Sequence, residues 1–284
     1  MNRIVTPTDF SKLSEYGLQM ALQTAKHINA EIFLLNIVYP PQGTTFSAYG
    51  DVNKLPRNEQ DRFTVELVRK NLQRMEALQE KYKSYNIKIE PGIEFGNLKN
   101  GIDQFIVNND IDLVVMGANS NQNFVEHFVG NNTEKVIRVS KCPVITTKRE
   151  IKSFEPKNLV IPLDVDNELF EGLEKIVEFG EEVNGKMHLL HILNSSGLST
   201  EVSLQRLEKV AKDYRIKNYT LNTIDEKNAV QGVNGFAKRI KADMIAMITH
   251  GRKGLKNLIF GSMAEELIKE NEIPMLIINK EEII

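Results

Sequence analysis

The chain alternates short apolar runs with longer stretches in which apolar residues return every third or fourth position. Asn2 to Thr6, Ile32 to Tyr39, Ile87 to Phe95, Leu113 to Gly117 and Val144 to Thr147 are β-rich, several almost continuously apolar. That is the pattern of strands buried on both faces. Leu18, Ala21, Leu22, Ala25 and Ile28 fall on one helical stripe behind the polar start Ser11-Lys12-Leu13-Ser14, and Val65, Leu67, Val68, Leu72, Met75 and Leu78 mark a longer second helix. Further helices are predicted at about Glu168 to Val183, Glu201 to Tyr214, Ala229 to Ile240 and Ser262 to Asn271. Strands alternating with helices of this length pair in parallel through right-handed crossovers.

The pattern is written twice. Val5-Thr6-Pro7-Thr8-Asp9 returns as Val160-Ile161-Pro162-Leu163-Asp164, and Leu34 to Val38 returns as Leu189 to Leu193, both at an offset of 155 residues (164 − 9). Downstream the offset falls to 131 (243 − 112): Asp112 matches Asp243, Gly130 matches Gly261, Glu134 matches Glu265 and Pro143 matches Pro274. The first half therefore carries 24 extra residues (155 − 131), most of them expected between Pro40 and Arg62. A fixed repeat of this length implies two copies of one fold. The expected architecture is α/β, with two tandem doubly wound domains of five parallel strands spanning 1–150 and 156–284, the first with an insertion near 40–62.

Composition narrows the function classes. Of 284 residues, 26% are charged and 41% hydrophobic, with a net charge of −2. This is ordinary globular composition, and it supplies no whole-chain basic field for nucleic acid or an anionic membrane. Neither is expected as a partner. The single cysteine, Cys142, forms no intrachain disulfide and reads as a small buried hydrophobe. No apolar run approaches membrane-spanning length and the start has no signal-peptide pattern, so the cytoplasm is the expected compartment.

In open parallel sheets ligands bind beyond the carboxyl ends of the strands, where the winding reverses. The first strand of each half ends in Pro-x-Asp, at Asp9 and Asp164, and the fourth runs into Gly117-Ala118-Asn119-Ser120 or Thr249-His250-Gly251-Arg252-Lys253-Gly254. Gly130 and Gly261 follow, each opening a helix. Glycines let backbone N–H groups approach an oxyanion and a helix amino end adds partial positive charge, so these loops suit phosphate.

The run from Thr249 to Leu255, followed by Phe260-Gly261-Ser262-Met263-Ala264-Glu265, resembles the signature loop of the universal stress protein family. The resemblance extends over two tandem copies, with Pro-Thr-Asp-Phe-Ser at the start and Cys142-Pro143-Val144-Ile145 leading into the fifth strand. It implies an adenine nucleotide alpha-hydrolase-like fold and pairing of the halves about a pseudo-twofold axis through their fifth strands, Val144 to Thr147 and Met275 to Asn279. Further homo-oligomers would be compatible with it. Nucleotide-binding members carry Gly, two residues, Gly, nine residues and then Gly-Ser or Gly-Thr, and the family also contains non-binders. Gly251, Gly261 and Ser262 fit this spacing, with Ile248 at the first glycine. In the first half Gly117 and Gly130 fit, with Ser120 and Asn131 as departures. The acid ending strand one would contact adenosine and backbone ending strand two would contact adenine, roles that fall on Asp9 with Val38 or Asp164 with Leu193. The implied ligand is ATP or another adenine nucleotide, with Mg2+ able to share the phosphate charge.

Charge ranks the two copies. His250, Arg252, Lys253 and Lys256 align with Asn119, Asn121, Gln122 and Val125. A cation–phosphate contact at ~4 Å is worth ~4 kcal/mol at an effective dielectric of ~20, before desolvation. The second half is therefore the expected nucleotide site and the first is expected to be degenerate. Blander readings stand beside these: Gly117 and Gly130 serve equally as turn punctuation, Ser262 as an N-cap, and Asp9 and Asp164 as helix caps. His188 and His191 read as packing residues and His250 as a loop residue. The sequence holds no GxxxxGK[ST], GxSxG or HExxH motif and no Cys/His cluster, so the expectation is binding with slow hydrolysis at most and no catalytic or metal-ligating residue. A stress scaffold that uses the fold without nucleotide is the alternative.

Overall fold

The two apolar edge strands expected at the ends of the halves pair with each other. In the computed structural model, which describes residues 1–39, 59–118, 132–165, 170–193, 198–249 and 262–280, the first half runs β1 (Arg3–Pro7), α1 (Lys12–Ile28), β2 (Glu31–Val38), α2 (Glu59–Tyr82), β3 (Ile89–Phe95), α3 (Leu98–Asn108), β4 (Leu113–Gly117), α4 (Asn132–Val139) and β5 (Val144–Thr147). The second runs β6 (Asn158–Pro162), α5 (Leu173–Glu182), β7 (Lys186–Ile192), α6 (Thr200–Asp213), β8 (Tyr219–Ile224), α7 (Ala229–Ile240), β9 (Met244–Thr249), α8 (Ser262–Glu270) and β10 (Met275–Asn279). Together they build one ten-stranded sheet in the order β3-β2-β1-β4-β5-β10-β9-β6-β7-β8. Its outer strands are β3, which carries Pro91, and β8.

All pairings are parallel except β5 with β10. There Ile145 faces Leu276, its own counterpart at the 131-residue offset, so a local pseudo-twofold axis passes through that pair. Both strands are buried along their whole length. Side chains cross the axis in matched fashion. Asn279 Nδ2 donates to the carbonyl of Arg138 at the end of α4 (3.0 Å), and its counterpart Lys148 donates through Nζ to the carbonyl of Lys269 in α8 (2.6 Å). Each bond satisfies a carbonyl that a helix end leaves without an intrahelical partner.

The crossovers divide the helices into two layers. Leu18, Leu22, Met75, Leu173, Ile176 and Leu207 bring α1, α2, α5 and α6 onto one face, and Ile102, Phe105, Val136, Val233, Phe236 and Leu267 bring α3, α4, α7 and α8 onto the other. Local chemistry sets the helix starts. Ser11, Asn97, Ser199 and Asn228 each accept the N–H three residues on, capping α1, α3, α6 and α7. Among the described residues no helix is long and apolar enough to cross a membrane.

Two boundaries differ from expectation. Residues 59–62, expected in the insertion, belong to α2; residues 40–58 lie outside the described residues. The helix expected from Glu168 starts instead at Leu173, after Gly172 in the left-handed conformation with φ 93°; the reason lies at Ile248, below.

Glu265 and its counterpart Glu134 approach each other near the axis. Burial raises the carboxyl pKa of Glu265, and the charge of Glu134 adds to the effect. An acid whose pKa is raised by folding destabilises the fold above its unfolded pKa and is neutral in effect below it. Glu265→Gln is therefore expected to raise the melting temperature at pH 7, with the gain vanishing as pH falls through about 4. Equal melting temperatures at pH 7 would show that Glu265 is not held at a cost.

Candidate functional site

The strand order reverses between β1 and β4, so a crevice must open at their carboxyl ends. A cleft of about 350 Å³ lies there in the first half. The amino ends of α1, α3 and α4 all reach its wall, at Ser14, Leu98 and Thr133. Three helix dipoles thus turn their positive ends toward one space.

Asp9 stands exposed on the wall of the cleft. Its carboxylate accepts the N–H of Ser11 at 2.9 Å. Burial pushes its pKa up, but hydrogen bonds from Ser11 and Ser14 outweigh that and hold it below the ordinary value. It is a carboxylate at neutral pH. Beneath it the cleft has a polar floor: Asn36 Nδ2 donates to the Thr8 carbonyl (2.7 Å), and Asn71, reaching in from α2, donates to Asn36 Oδ1 (2.9 Å). Phe10 takes a left-handed conformation (φ 63°), its N–H bonded to Thr8 Oγ1 at 3.0 Å and its ring 4.0 Å from the Arg74 guanidinium. Val38 is buried at the end of β2, where its carbonyl accepts the N–H of Gly96 (3.0 Å). Next to it Tyr39 accepts the N–H of Leu98 at 3.2 Å, tying β2 to the start of α3.

Gly117 is required by contact rather than by turn geometry. A Cβ there would lie 2.0 Å from the carbonyl oxygen of Leu13, and one on Gly17 would lie 2.6 Å from the nitrogen of Gly117. Helix α1 thus rests backbone to backbone on the end of β4. Sequence reasoning singled out Asp9 and Gly117 but missed the Asn36–Asn71 floor. Its one visible trace is a polar residue inside an apolar strand, repeated as His191.

In the second half the same positions are filled differently. His191 Nδ1 lies 3.0 Å from the Leu163 carbonyl, replacing the Asn36 bond, and Arg206 donates to the Val165 carbonyl (3.1 Å) where Arg74 covers Phe10. Asp164 is exposed at the strand end, and the Leu193 N–H is bonded to the Ile224 carbonyl (2.7 Å). Ile248 occupies the place of Gly117. It packs with Met244 and Ala246 on the face of α5 and α6, while Ile245 and Met247 serve the other face. A branched side chain there excludes the first turn of a helix seated like α1. Phe170 to Gly172 are accordingly non-helical and α5 begins late. Ser262 opens α8 as expected. Gly130, His250, Gly251, Arg252 and Gly261 lie outside the described residues.

The model of the universal stress protein family matches residues 1–148 and again 156–279. The chain belongs to the universal stress protein family. Universal stress protein MJ0531 of Methanocaldococcus jannaschii is 27% identical over 144 residues, 44% of this chain and 82% of that protein. A universal stress protein structure from Archaeoglobus fulgidus superposes with a TM-score of 0.70 at 18% identity, covering 98% of both chains. A putative universal stress protein from Pseudomonas aeruginosa gives 0.63 at 14%, over 99% of this chain and 94% of that one. At these identities the structural likeness is one of fold.

Elsewhere among the described residues of this universal stress protein, His188 and Cys142 are taken up by packing. His188 bonds Thr220 Oγ1 (2.7 Å) and Asn158 Oδ1 (3.2 Å), and burial lowers its pKa. Burial also pushes the Cys142 thiol up to about 12, far from a nucleophile's range. Among the described residues no group of three metal-ligating side chains occurs. The contact at Gly117 gives a stability test. Gly117→Ala is expected to cost about 1–3 kcal/mol, because Leu13 must move. Urea unfolding measures it; an unchanged midpoint would mean that α1 does not depend on this approach.

Proposed function

We propose that this universal stress protein binds an adenine nucleotide, ATP or a relative of it, as a regulatory ligand of a stress response, with the nucleotide seated in the first-half cleft. The observation that carries the reading is the cleft itself: an ionised Asp9 on its wall for ribose hydroxyls, and three helix amino ends for phosphate. Family membership supports it, since the resemblance assigns the strand-one acid to adenosine. The single, buried cysteine fits a reducing compartment, the cytoplasm. A second reading puts the nucleotide in the second half. The cations His250, Arg252, Lys253 and Lys256 favour that reading; Ile248 opposes it, because it fills the position at which α1 closes the first cleft.

Calorimetric titration of ATP, with and without Mg2+, into wild type, Asp9→Ala and Arg252→Ala separates the two. Losing a hydrogen bond to a charged group weakens binding by about 10- to 100-fold. The first reading expects that loss in Asp9→Ala and little change in Arg252→Ala; the second expects the reverse. No heat of binding to wild type at millimolar ATP would favour a scaffold that uses the fold without nucleotide.

A further inference from the structure

The first-half cleft holds an aromatic ring for which neither its polar floor nor the strand-one acid accounts. Tyr39, one residue beyond β2, lines the cleft and is the most exposed large apolar side chain among the described residues, at 64%. We propose that Tyr39 is the platform on which the base of the bound nucleotide stacks, an inference that rests on the first-half reading above.

The ring is held where it stands. Its hydroxyl oxygen accepts the Leu98 N–H at 3.2 Å, so the side chain is tied to β2 at one end and to α3 at the other. The next residue in the chain is Pro40, which disfavours helical backbone at Tyr39 and keeps it extended. An aromatic ring already fixed in place gives up little freedom when a ligand stacks on it. Every base has a π-face to offer such a ring.

Its place matches the order of parts in a nucleotide. Along the sheet β1 lies between β2 and β4, and neighbouring strands are about 4.8 Å apart, so the three strand ends span about 10 Å. Across that span the cleft presents Tyr39 beyond β2, Asp9 beyond β1, and Gly117 with the start of α4 beside β4. Base, ribose and phosphate are bonded in that order. Side chains alternate along a strand and Ile37 packs in the layer of α3 and α4, which puts Tyr39, two residues on, toward the same side as α4.

The surroundings of the ring also suit a base. Ile37 and Leu98 flank it on the cleft wall. Two N–H groups in the first turn of α3 are already bonded, that of Leu98 to Tyr39 and that of Asn100 to the Asn97 cap, so α3 lends this end of the cleft its dipole but few donors. At the 155-residue offset the counterpart of Tyr39 is Asn194, which lies outside the described residues. An amide has no comparable face, so the platform belongs to the first half alone.

The chain contains no tryptophan, so Tyr39→Trp places a single indole at the site, and a base stacked on it quenches its fluorescence. Titrating ATP into the full chain should quench this variant saturably, with the midpoint that calorimetry gives. Tyr39→Ala should weaken ATP about 5- to 100-fold and leave the melting temperature unchanged. Tyr39→Phe, which keeps the ring and drops the tether, should bind closer to wild type than to Tyr39→Ala. If ATP binds wild type but Tyr39→Ala matches it, Tyr39→Phe is as weak as Tyr39→Ala, or the indole is not quenched, the platform is overturned; the first-half reading then stands on the Asp9→Ala result. No ATP binding to wild type, or a loss confined to Arg252→Ala, overturns both.

Discussion

The antiparallel seam between β5 and β10 is the contact on which the architecture rests. Each half, taken by itself, would end in a largely apolar strand, buried along its whole length here, with a free row of hydrogen-bonding groups, an edge prone to pairing with other chains. Joined at Ile145 and Leu276, the two edges remove each other and create one sheet with helices on both faces. The crossing bonds from Asn279 and Lys148 to helix-end carbonyls extend the seam into one helix layer, that of α4 and α8.

Symmetry of the sheet does not carry through to the crevices. One position decides much of the difference: glycine at 117 admits the carbonyl of Leu13, whereas isoleucine at 248 fills that space. The consequence passes to backbone, since α1 runs unbroken through Gly17 while the matching Gly172 turns left-handed and only then releases α5. It passes next to electrostatics, because an early helix start aims a dipole at the strand ends and a late one withdraws it.

What the sequence made legible follows from periodicity. Strand runs, helix stripes and the repeat are properties of neighbours in the chain, and they located the two tandem five-stranded halves, whereas the pairing of the fifth strands was an implication of the family resemblance. The start of α5 was not legible locally, since Phe170 and Glu171 suit a helix; Ile248, far along the chain, overrides them. The Asn36–Asn71 floor was hidden for a related reason. It joins a strand to a helix across the insertion, and only the approach of the two elements reveals that an amide in an apolar strand has a partner.

The outer strands of the sheet behave unlike one another. In β3, Lys88 accepts from Ile32 and Gly96 donates to Val38, so alternate residues face β2 and Pro91 falls among those facing outward. A proline there removes a donor that an incoming strand would need. In β8, Asn218 accepts from Met187 and Ile224 from Leu193, which turns the N–H groups of Tyr219, Leu221 and Thr223 outward with no such gap. The two ends of the sheet are thus chemically unequal: the outward backbone of β3 is interrupted by a residue that cannot donate, whereas the outward positions of β8 hold a continuous row of donors.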